Sequence, residues 1–100
     1  MYVRNHFWRR IVANLKKLPA SKWREILDKI QEQLSRQPIR ETRNKKILEG
    51  LQPPWKHRQP MWELRVGEYR VFYDVDPEEN RVMVRALRHK PPHRTTEEIL

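Results

Sequence analysis

The chain of 100 residues contains no cysteine, only two glycines and no long run of apolar residues. The lack of cysteine excludes a disulfide framework, a cysteine-ligated zinc or iron–sulfur site, and a cysteine nucleophile. With so few glycines there is no glycine-rich loop that could bind a phosphate through its backbone. No apolar run is long enough for a transmembrane helix, and basic residues at positions 9, 10, 16 and 17 interrupt any signal-peptide core. We therefore expect a cytoplasmic protein without a membrane partner.

Acidic residues are scarce relative to basic ones, 13 against 22 Lys and Arg, which gives a formal net charge of +9. Positive charge is concentrated in residues 36–58 and 81–94, and the second stretch contains five basic residues, two histidines and no acid. Clustered Lys and Arg attract phosphates and displace their counterions, so these stretches predict an anionic partner, either a nucleic acid or an acidic protein. A solvated, solubilising surface is the alternative that charge alone leaves open.

Hydrophobic periodicity predicts two helices followed by three strands. Apolar residues at positions 7, 8, 11, 12 and 15 form one helical stripe, and those at 23, 26, 27, 30 and 34 form a second, which Pro38 ends. From residue 61 the period changes to two, and Gly67 begins a two-residue hairpin turn that requires a positive φ. Tyr2 to Phe7 is a candidate edge strand, and Thr95 or Thr96 with Glu98 predicts a capped terminal helix.

The predicted fold is α+β, with an N-terminal helical hairpin packed on a three- to four-stranded antiparallel sheet, in one domain over residues 1–100. Segment 38–60 is expected to connect the two parts. The sheet face toward the helices is predicted to contain Trp62, Leu64, Val66, Val71, Tyr73, Val75, Val82, Val84 and Ala86. The opposite face would contain Glu63, Arg65, Arg70, Phe72, Asp74, Met83, Arg85 and Leu87. Because this second face mixes charge with large apolar groups, we expect the functional site there.

Residues 62–76, WELRVGEYRVFYDVD, resemble the central hairpin of the RelE/ParE superfamily of bacterial type II toxins, which typically reads W-x-L-R-V-G-x-Y-R-V-x-Y. Residues 15–19, residues 47–51 and the tripeptide at 88–90 are also similar to that family, so the resemblance spans roughly residues 10–94. It implies a RelE-like fold and a small basic toxin that a cognate antitoxin neutralises. In the RelE branch the toxin cleaves mRNA in the ribosomal A site without a metal, and the RNA's own 2′-OH attacks the scissile phosphate. In the ParE branch the toxin poisons DNA gyrase and cleaves no RNA.

From this resemblance we expect an endoribonuclease that acts on mRNA at the ribosome, inhibits translation, uses no cofactor and is bound by a cognate antitoxin. One alternative is a non-nucleolytic protein of the same fold, either a gyrase inhibitor or an inactive binding module. Another is a basic RNA-binding domain with no toxin role. The fold does not decide among these, because activity depends on the site.

Three residues are candidate catalytic groups. Arg70 matches the position that contacts the scissile phosphate in RelE-type members, and Arg65 is expected on the same face of the sheet. His89 is the candidate for proton transfer, because an unperturbed histidine titrates near neutrality. The structural alternatives are an Arg70 paired with Asp74 or Glu63 and a His89 that is simply exposed. Candidate RNA-binding residues in the basic stretches are Arg85, Arg88, Lys90, His93, Arg94, Lys45 and Lys46.

The chain departs from the RelE pattern at two places. Met61 and Glu63 stand where RelE members have lysines on the first strand of the meander, and no tyrosine follows Tyr73. Glu63 is therefore an additional candidate for a base. Pro91 and Pro92 predict a rigid extended spacer between the two histidines. The same prolines prevent a helical pair of metal ligands at His89 and His93, so no metal site is expected.

Overall fold

The computed structural model describes residues 2–4, 17–34, 39–79 and 81–100. In chain order they form β1 (Tyr2–Arg4), α1 (Ala20–Leu34), β2 (Lys45–Ile47), β3 (Trp62–Val66), β4 (Tyr69–Asp76), β5 (Arg81–His89) and α2 (Thr96–Ile99). The five strands form one sheet in the order β1-β5-β4-β3-β2. β1 pairs with β5 in parallel, and the other neighbours are antiparallel. The predicted α+β class, with a helix packed on an antiparallel sheet, is confirmed.

The two edge strands lie where the sequence signals were weakest. The predicted N-terminal edge strand is confirmed at Tyr2–Arg4. β2 lies inside the segment that was expected only to connect, where Lys45–Ile47 pairs with the first half of β3. The turn between β3 and β4 has the predicted glycine, and Gly67 adopts a φ of 58°. The predicted first helix, with its stripe from Phe7 to Leu15, lies outside the described residues. So does Pro38, which was expected to end the second helix.

The main core lies between α1 and one face of the sheet. The helix begins after Pro19, whose carbonyl accepts hydrogen bonds from the backbone N–H groups of Lys22 and Trp23. Its buried residues are Ile26, Ile30 and Leu34, which recur every four residues and so share one side of the helix. They pack against buried side chains of the three central strands: Trp62, Leu64, Val66, Val71, Tyr73, Val82, Val84 and Leu87. The predicted second helical stripe is therefore confirmed.

A β-bulge in β5 changes which side chains face the helix. Phe72 pairs with Ala86 whereas Tyr73 pairs with Val84, so Arg85 is an extra residue in this strand. Side chains alternate along a strand, and one extra residue reverses the expected facing of those that follow it. Ala86 accordingly lies with Phe72 on the second face, and Leu87 lies in the helix-side core. The sequence prediction for these two residues, which assumed unbroken alternation, was wrong.

Chain segments cover part of the second face. Phe72 and Ala86 are buried there with Leu48 and Met61. Trp55, from the connection between β2 and β3, places its ring 5.3 Å from that of Phe72. The last two residues, at 99 and 100, also pack against this cluster. These residues do not cover the end of the second face that lies near the turn between β3 and β4, and this end remains accessible.

Candidate functional site

The accessible end of the second sheet face forms one wall of a cavity of about 360 Å³. Residues of the segment that follows β5 and residues just before β2 also line it. Ten side chains line it: Arg43, Asn44, Lys46, Glu63, Arg65, Arg70, Lys90, Arg94, Thr95 and Thr96. Six of these are cations and one is a carboxylate. Such an excess of positive charge in a concave site attracts polyanions.

Arg70, one of the residues of the sheet that line the cavity, is held in place by three contacts. Its side chain is 8% exposed, and its Nε lies 3.5 Å from Glu63 Oε1. Its Nη1 donates hydrogen bonds to the carbonyls of Gly67 and Tyr69, both at 2.9 Å. Burial lowers the pKa of Arg70, Glu63 opposes that shift, and Arg65 adds to it. An arginine titrates so far above neutrality that the guanidinium remains charged, so the cavity contains a cation fixed in orientation.

Glu63 is the buried carboxylate of the cavity, with 4% of the residue exposed. Its Oε1 faces Arg70, and its Oε2 accepts a hydrogen bond from Thr96 Oγ1 at 3.1 Å. The pairing of Arg70 with Glu63, one of the two structural alternatives for Arg70, is therefore present. It does not remove either group from the cavity, because both line it. Among the lining side chains, Glu63 is the one carboxylate that could accept a proton.

The segment after β5 is fixed by two backbone hydrogen bonds, one to the turn between β3 and β4 and one within the segment. The backbone N–H of Lys90 donates to the carbonyl of Glu68 at 2.6 Å. The backbone N–H of Arg94 donates to the carbonyl of Pro91 at 3.0 Å. Residues 91–94 therefore form a tight turn, and the predicted extended spacer was wrong. The turn directs the chain back across the second face of the sheet.

The predicted cap of the terminal helix is confirmed. The Thr95 side chain accepts a hydrogen bond from the backbone N–H of Glu98, and the Glu98 carboxylate accepts one from the backbone N–H of Thr95. Arg94 Nη1 lies 3.0 Å from Glu98 Oε2. The bond from the Thr95 backbone, followed by the bond from Arg94, lowers the pKa of Glu98. This capping box holds Thr96 at the first helical position, where its hydroxyl reaches Glu63.

Six of the residues that the sequence suggested for the site line the cavity: Arg65, Arg70, Lys46, Lys90, Arg94 and the additional candidate base Glu63. Arg65 is the direct cross-strand partner of Arg70, and Arg70 is in turn the partner of Arg88. Three arginines therefore form a row across β3, β4 and β5. Arg88 ends that row outside the cavity, because its guanidinium lies 5.1 Å from the centre of the Trp55 ring.

The two predicted histidines do not line the cavity. His89 follows the bulge and pairs with Tyr69, whose ring lies 5.0 Å away and packs against the helix-side core. The Nε2 atom of His89 lies 3.1 Å from Glu68 Oε2. His93 is exposed in the turn after β5. The structure therefore separates the imidazole of His89 from Arg70 by placing them on opposite faces of the sheet.

Two predicted RNA-binding cations are bound within the protein. Arg85 Nε donates to Asp74 Oδ2 at 2.8 Å, and the two side chains are 8% and 0% exposed. Lys45 is buried on the helix side, where its Nζ donates to the carbonyl of Gln33 at 3.0 Å. Burial, with a smaller contribution from Arg40, lowers the pKa of Lys45. Both residues connect elements of the fold and lie away from the cavity lining.

Four lining residues were not predicted from the sequence as site residues: Arg43, Asn44, Thr95 and Thr96. Thr95 and Thr96 were recognised only as candidate caps, although the cap itself fixes where Thr96 points. Arg43 and Asn44 enter the site because β2 pairs with β3, and Asn44 O accepts a hydrogen bond from the Arg65 backbone at 2.7 Å. A three-residue strand carries too little periodicity to reveal that pairing.

Within the described residues, no group of three or more His, Asp or Glu side chains could hold a metal ion. In the same part of the chain, no helix combines the length and apolarity needed to cross a membrane.

Comparisons with known proteins find toxins of type II toxin–antitoxin systems or the complexes that contain them. A family model described as the ParE toxin of the type II toxin–antitoxin system parDE matches residues 5–90. The archaeal RelE–RelB complex from Pyrococcus horikoshii OT3 contains a similar chain, with 26% identity, a TM-score of 0.66, and coverage of 93% of this chain and 96% of that one. The RelBE2 toxin–antitoxin complex from Mycobacterium tuberculosis gives 27% identity, a TM-score of 0.62, and coverage of 88% and 95% respectively. No curated protein matches the sequence.

Proposed function

We propose that the chain, which belongs to the ParE toxin family of type II toxin–antitoxin systems within the RelE/ParE superfamily, is an endoribonuclease acting on mRNA at the ribosome. The two similar solved structures are RelE complexes, and they favour the RelE type of activity. The observation that supports the activity is the cavity itself, in which six cations surround one buried carboxylate. Because the two solved structures reported above are toxin–antitoxin complexes, a cognate antitoxin is the expected protein partner.

The proposed reaction is attack of a ribose 2′-oxygen on the adjacent phosphate. The bond from the 2′-oxygen to phosphorus forms while the bond from phosphorus to the 5′-oxygen breaks, which leaves a 2′,3′-cyclic phosphate and a 5′-hydroxyl. Negative charge builds up on the phosphoryl oxygens in the transition state, and cations fixed in advance stabilise it most. Arg70 meets that requirement through its two carbonyl contacts. Arg65, its cross-strand partner, is the second proposed phosphate contact.

Two protons move in this reaction. One leaves the 2′-hydroxyl, and we assign its acceptor to Glu63 because the carboxylate lines the same cavity as Arg70. His89 was the candidate from sequence, but its ring lies on the other face of the sheet beside Tyr69. The second proton reaches the departing 5′-oxygen, and Lys90, which lines the same cavity, is the proposed donor. Thr96 orients Glu63 through its hydroxyl.

Inhibition of DNA gyrase is the second candidate function, and the match to the ParE family model favours it. In that case the same cationic surface would bind its target without cleaving RNA, and Glu63 would serve only to orient Arg70.

Translating ribosomes programmed with a defined mRNA distinguish the two functions. We expect the purified protein to produce new mRNA 5′ ends, and Arg70→Ala to reduce their rate of formation about 10²- to 10³-fold, as for loss of one preorganised donor. Glu63→Gln should reduce cleavage about 10²- to 10⁴-fold, the range for a general base. The Glu63→Gln variant should bind RNA at least as tightly as the wild type, because the substitution removes a negative charge from the cavity.

The matched control is Arg24→Ala, which removes an exposed arginine of α1 that lies outside the cavity. It should cleave at the wild-type rate, and thermal unfolding should show that the two site variants are folded. Intact mRNA together with inhibited gyrase supercoiling would refute the nuclease proposal and support the second candidate.

A further inference from the structure

A second groove, of about 160 Å³, lies beside the main cavity between α1 and the turn that joins β3 to β4. Three polar side chains of α1 line it, together with Asn44, Arg65, Val66 at the end of β3 and Gly67 of the turn. Asn44 and Arg65 also line the main cavity, so they form the border between the two spaces. A ligand that extends beyond the main cavity on this side therefore enters the groove.

The groove differs chemically from the main cavity. Its charged side chains are Glu25, Lys29 and Arg65, and its neutral polar ones are Gln33 and Asn44. Charge is therefore almost balanced, whereas the main cavity has six cations to one carboxylate. A phosphate group is therefore expected to bind in the main cavity, where the positive charge is concentrated. The side-chain amides of Gln33 and Asn44 carry both donors and acceptors, which is the combination that pairs with the edge of a nucleobase.

The backbone on both sides of the groove is fixed. Asn44 O accepts from the Arg65 backbone at 2.7 Å, and Asn44 N donates to Thr42 Oγ1 at 3.2 Å. On the opposite side, Lys45 Nζ donates to the carbonyl of Gln33 at 3.0 Å and so ties the end of α1 to β2. The Asn44 side chain is exposed and makes no hydrogen bond within the described part of the chain. Its amide is thus presented on a rigid turn with its hydrogen-bonding groups available.

We propose that this groove is a base-recognition subsite. When the scissile phosphate lies against Arg70, the base of a neighbouring nucleotide occupies the groove, and the amides of Asn44 and Gln33 contact its edge. Arg65 lies at the border and contacts the backbone that joins the two nucleotides. The inference rests on the proposed RNA cleavage, which it extends by naming the residues that determine sequence preference.

The test is the base composition around cleavage sites in a mixed pool of mRNAs on translating ribosomes. Wild-type protein should show a preference at one position beside the cut. Asn44→Ala and Gln33→Ala should each weaken it at least fivefold, within the range of a lost contact to a base edge. Asn44→Asp, which keeps the shape but removes the amide donor, should change which base is preferred. Gln52→Ala is the control, because Gln52 is exposed and lines neither space.

Three results would overturn the inference alone: a wild type that cleaves without preference, an unchanged profile in both alanine variants, or an equal loss of cleavage at every sequence. A wild type that leaves the mRNA intact would instead overturn the proposed function on which the subsite rests. Since the Asn44 contacts named above use its backbone, thermal unfolding of its variants should match the wild type, and this measurement excludes a folding defect as the cause.

Discussion

The ion pair between Asp74 and Arg85 allows a quantitative test of how the second sheet face is built. Arg85 donates from Nε and Nη2 to the two carboxylate oxygens at 2.8 and 3.3 Å. The side chains of Arg85 and Asp74 are 8% and 0% exposed. Removing one partner of such a pair leaves a buried charge without compensation, which costs about 3–5 kcal/mol. We expect Arg85→Met to cost about 3 kcal/mol, the lower limit, because the backbone N–H of Arg58 still donates to Asp74 at 3.2 Å.

For a domain of this size, 1 kcal/mol shifts Tm by about 4–8 °C, so Arg85→Met should lower Tm by roughly 12–24 °C. Urea unfolding measures the same loss at constant temperature, as a lower midpoint with an unchanged slope. Arg81→Met is the matched control on the same strand. Arg81 contacts Glu79 at 3.2 Å, and because Glu79 is exposed and Arg81 is partly exposed, this pair is expected to contribute at most about 1 kcal/mol.

A double variant distinguishes two causes of lost stability in Arg85→Met: the loss of the ion pair and the loss of packing by the arginine side chain. Asp74→Asn combined with Arg85→Met removes both charges and keeps an acceptor for the Arg58 backbone. It should recover most of the lost stability. If Arg85→Met unfolds like the Arg81 control but loses affinity for RNA, Arg85 is a surface contact for RNA and the buried pair is refuted.

Three further predictions follow from the facing and bonding of single residues. Lys46→Met should weaken RNA binding and reduce the slope of log affinity against log salt by about one, whereas Lys45→Met should leave that slope unchanged; equal effects would contradict their opposite facing. His89→Ala should retain mRNA cleavage in the ribosome assay, and its loss would assign the imidazole a catalytic role. The hydrogen bond from the Thr95 backbone lowers the pKa of Glu98 below its ordinary value of 4.5. The charged carboxylate therefore stabilises α2 at every pH above 4.5, and this stabilisation is lost as the pH falls through the lowered pKa. Amide exchange at Glu98, corrected for its intrinsic pH dependence, should accelerate over that acidic range, and a constant corrected rate would contradict the capping box.

Long periodic segments made most of the fold predictable. The alternation over residues 62–76 identified β3, β4 and their turn, because one buried face constrains every second residue. The stripe of α1 was equally clear, because its buried residues recur every four positions. β2 could not be found in this way, since its three residues form a strand only through pairing with β3. The bulge at Arg85 was also hidden, because it depends on the register with β4 and leaves no mark on the hydrophobic pattern.

The candidate site was predictable to the extent that it lies on regular strands. Arg65 and Arg70 were identified by their place in the hairpin, and both line the cavity. Lys90 and Arg94 were identified only as members of a basic stretch, which gives charge but not position. Arg43, Asn44, Thr95 and Thr96 were not predicted as site residues, because contacts between distant parts of the chain bring them into the site. The facing of His89 was missed because the expected alternation continued through the bulge.

The extra residue in β5 also governs how relatives of different length are to be compared. Arg85 is the one position of this strand that has no partner in the ladder, so a chain lacking it would still set Arg88 opposite Arg70 and His89 opposite Tyr69. A gap placed elsewhere in the strand would shift an alignment by one column and equate the imidazole of one protein with the guanidinium of another. Aligned sequences therefore identify equivalent site residues in this family only when any single-residue length difference in β5 is assigned to position 85.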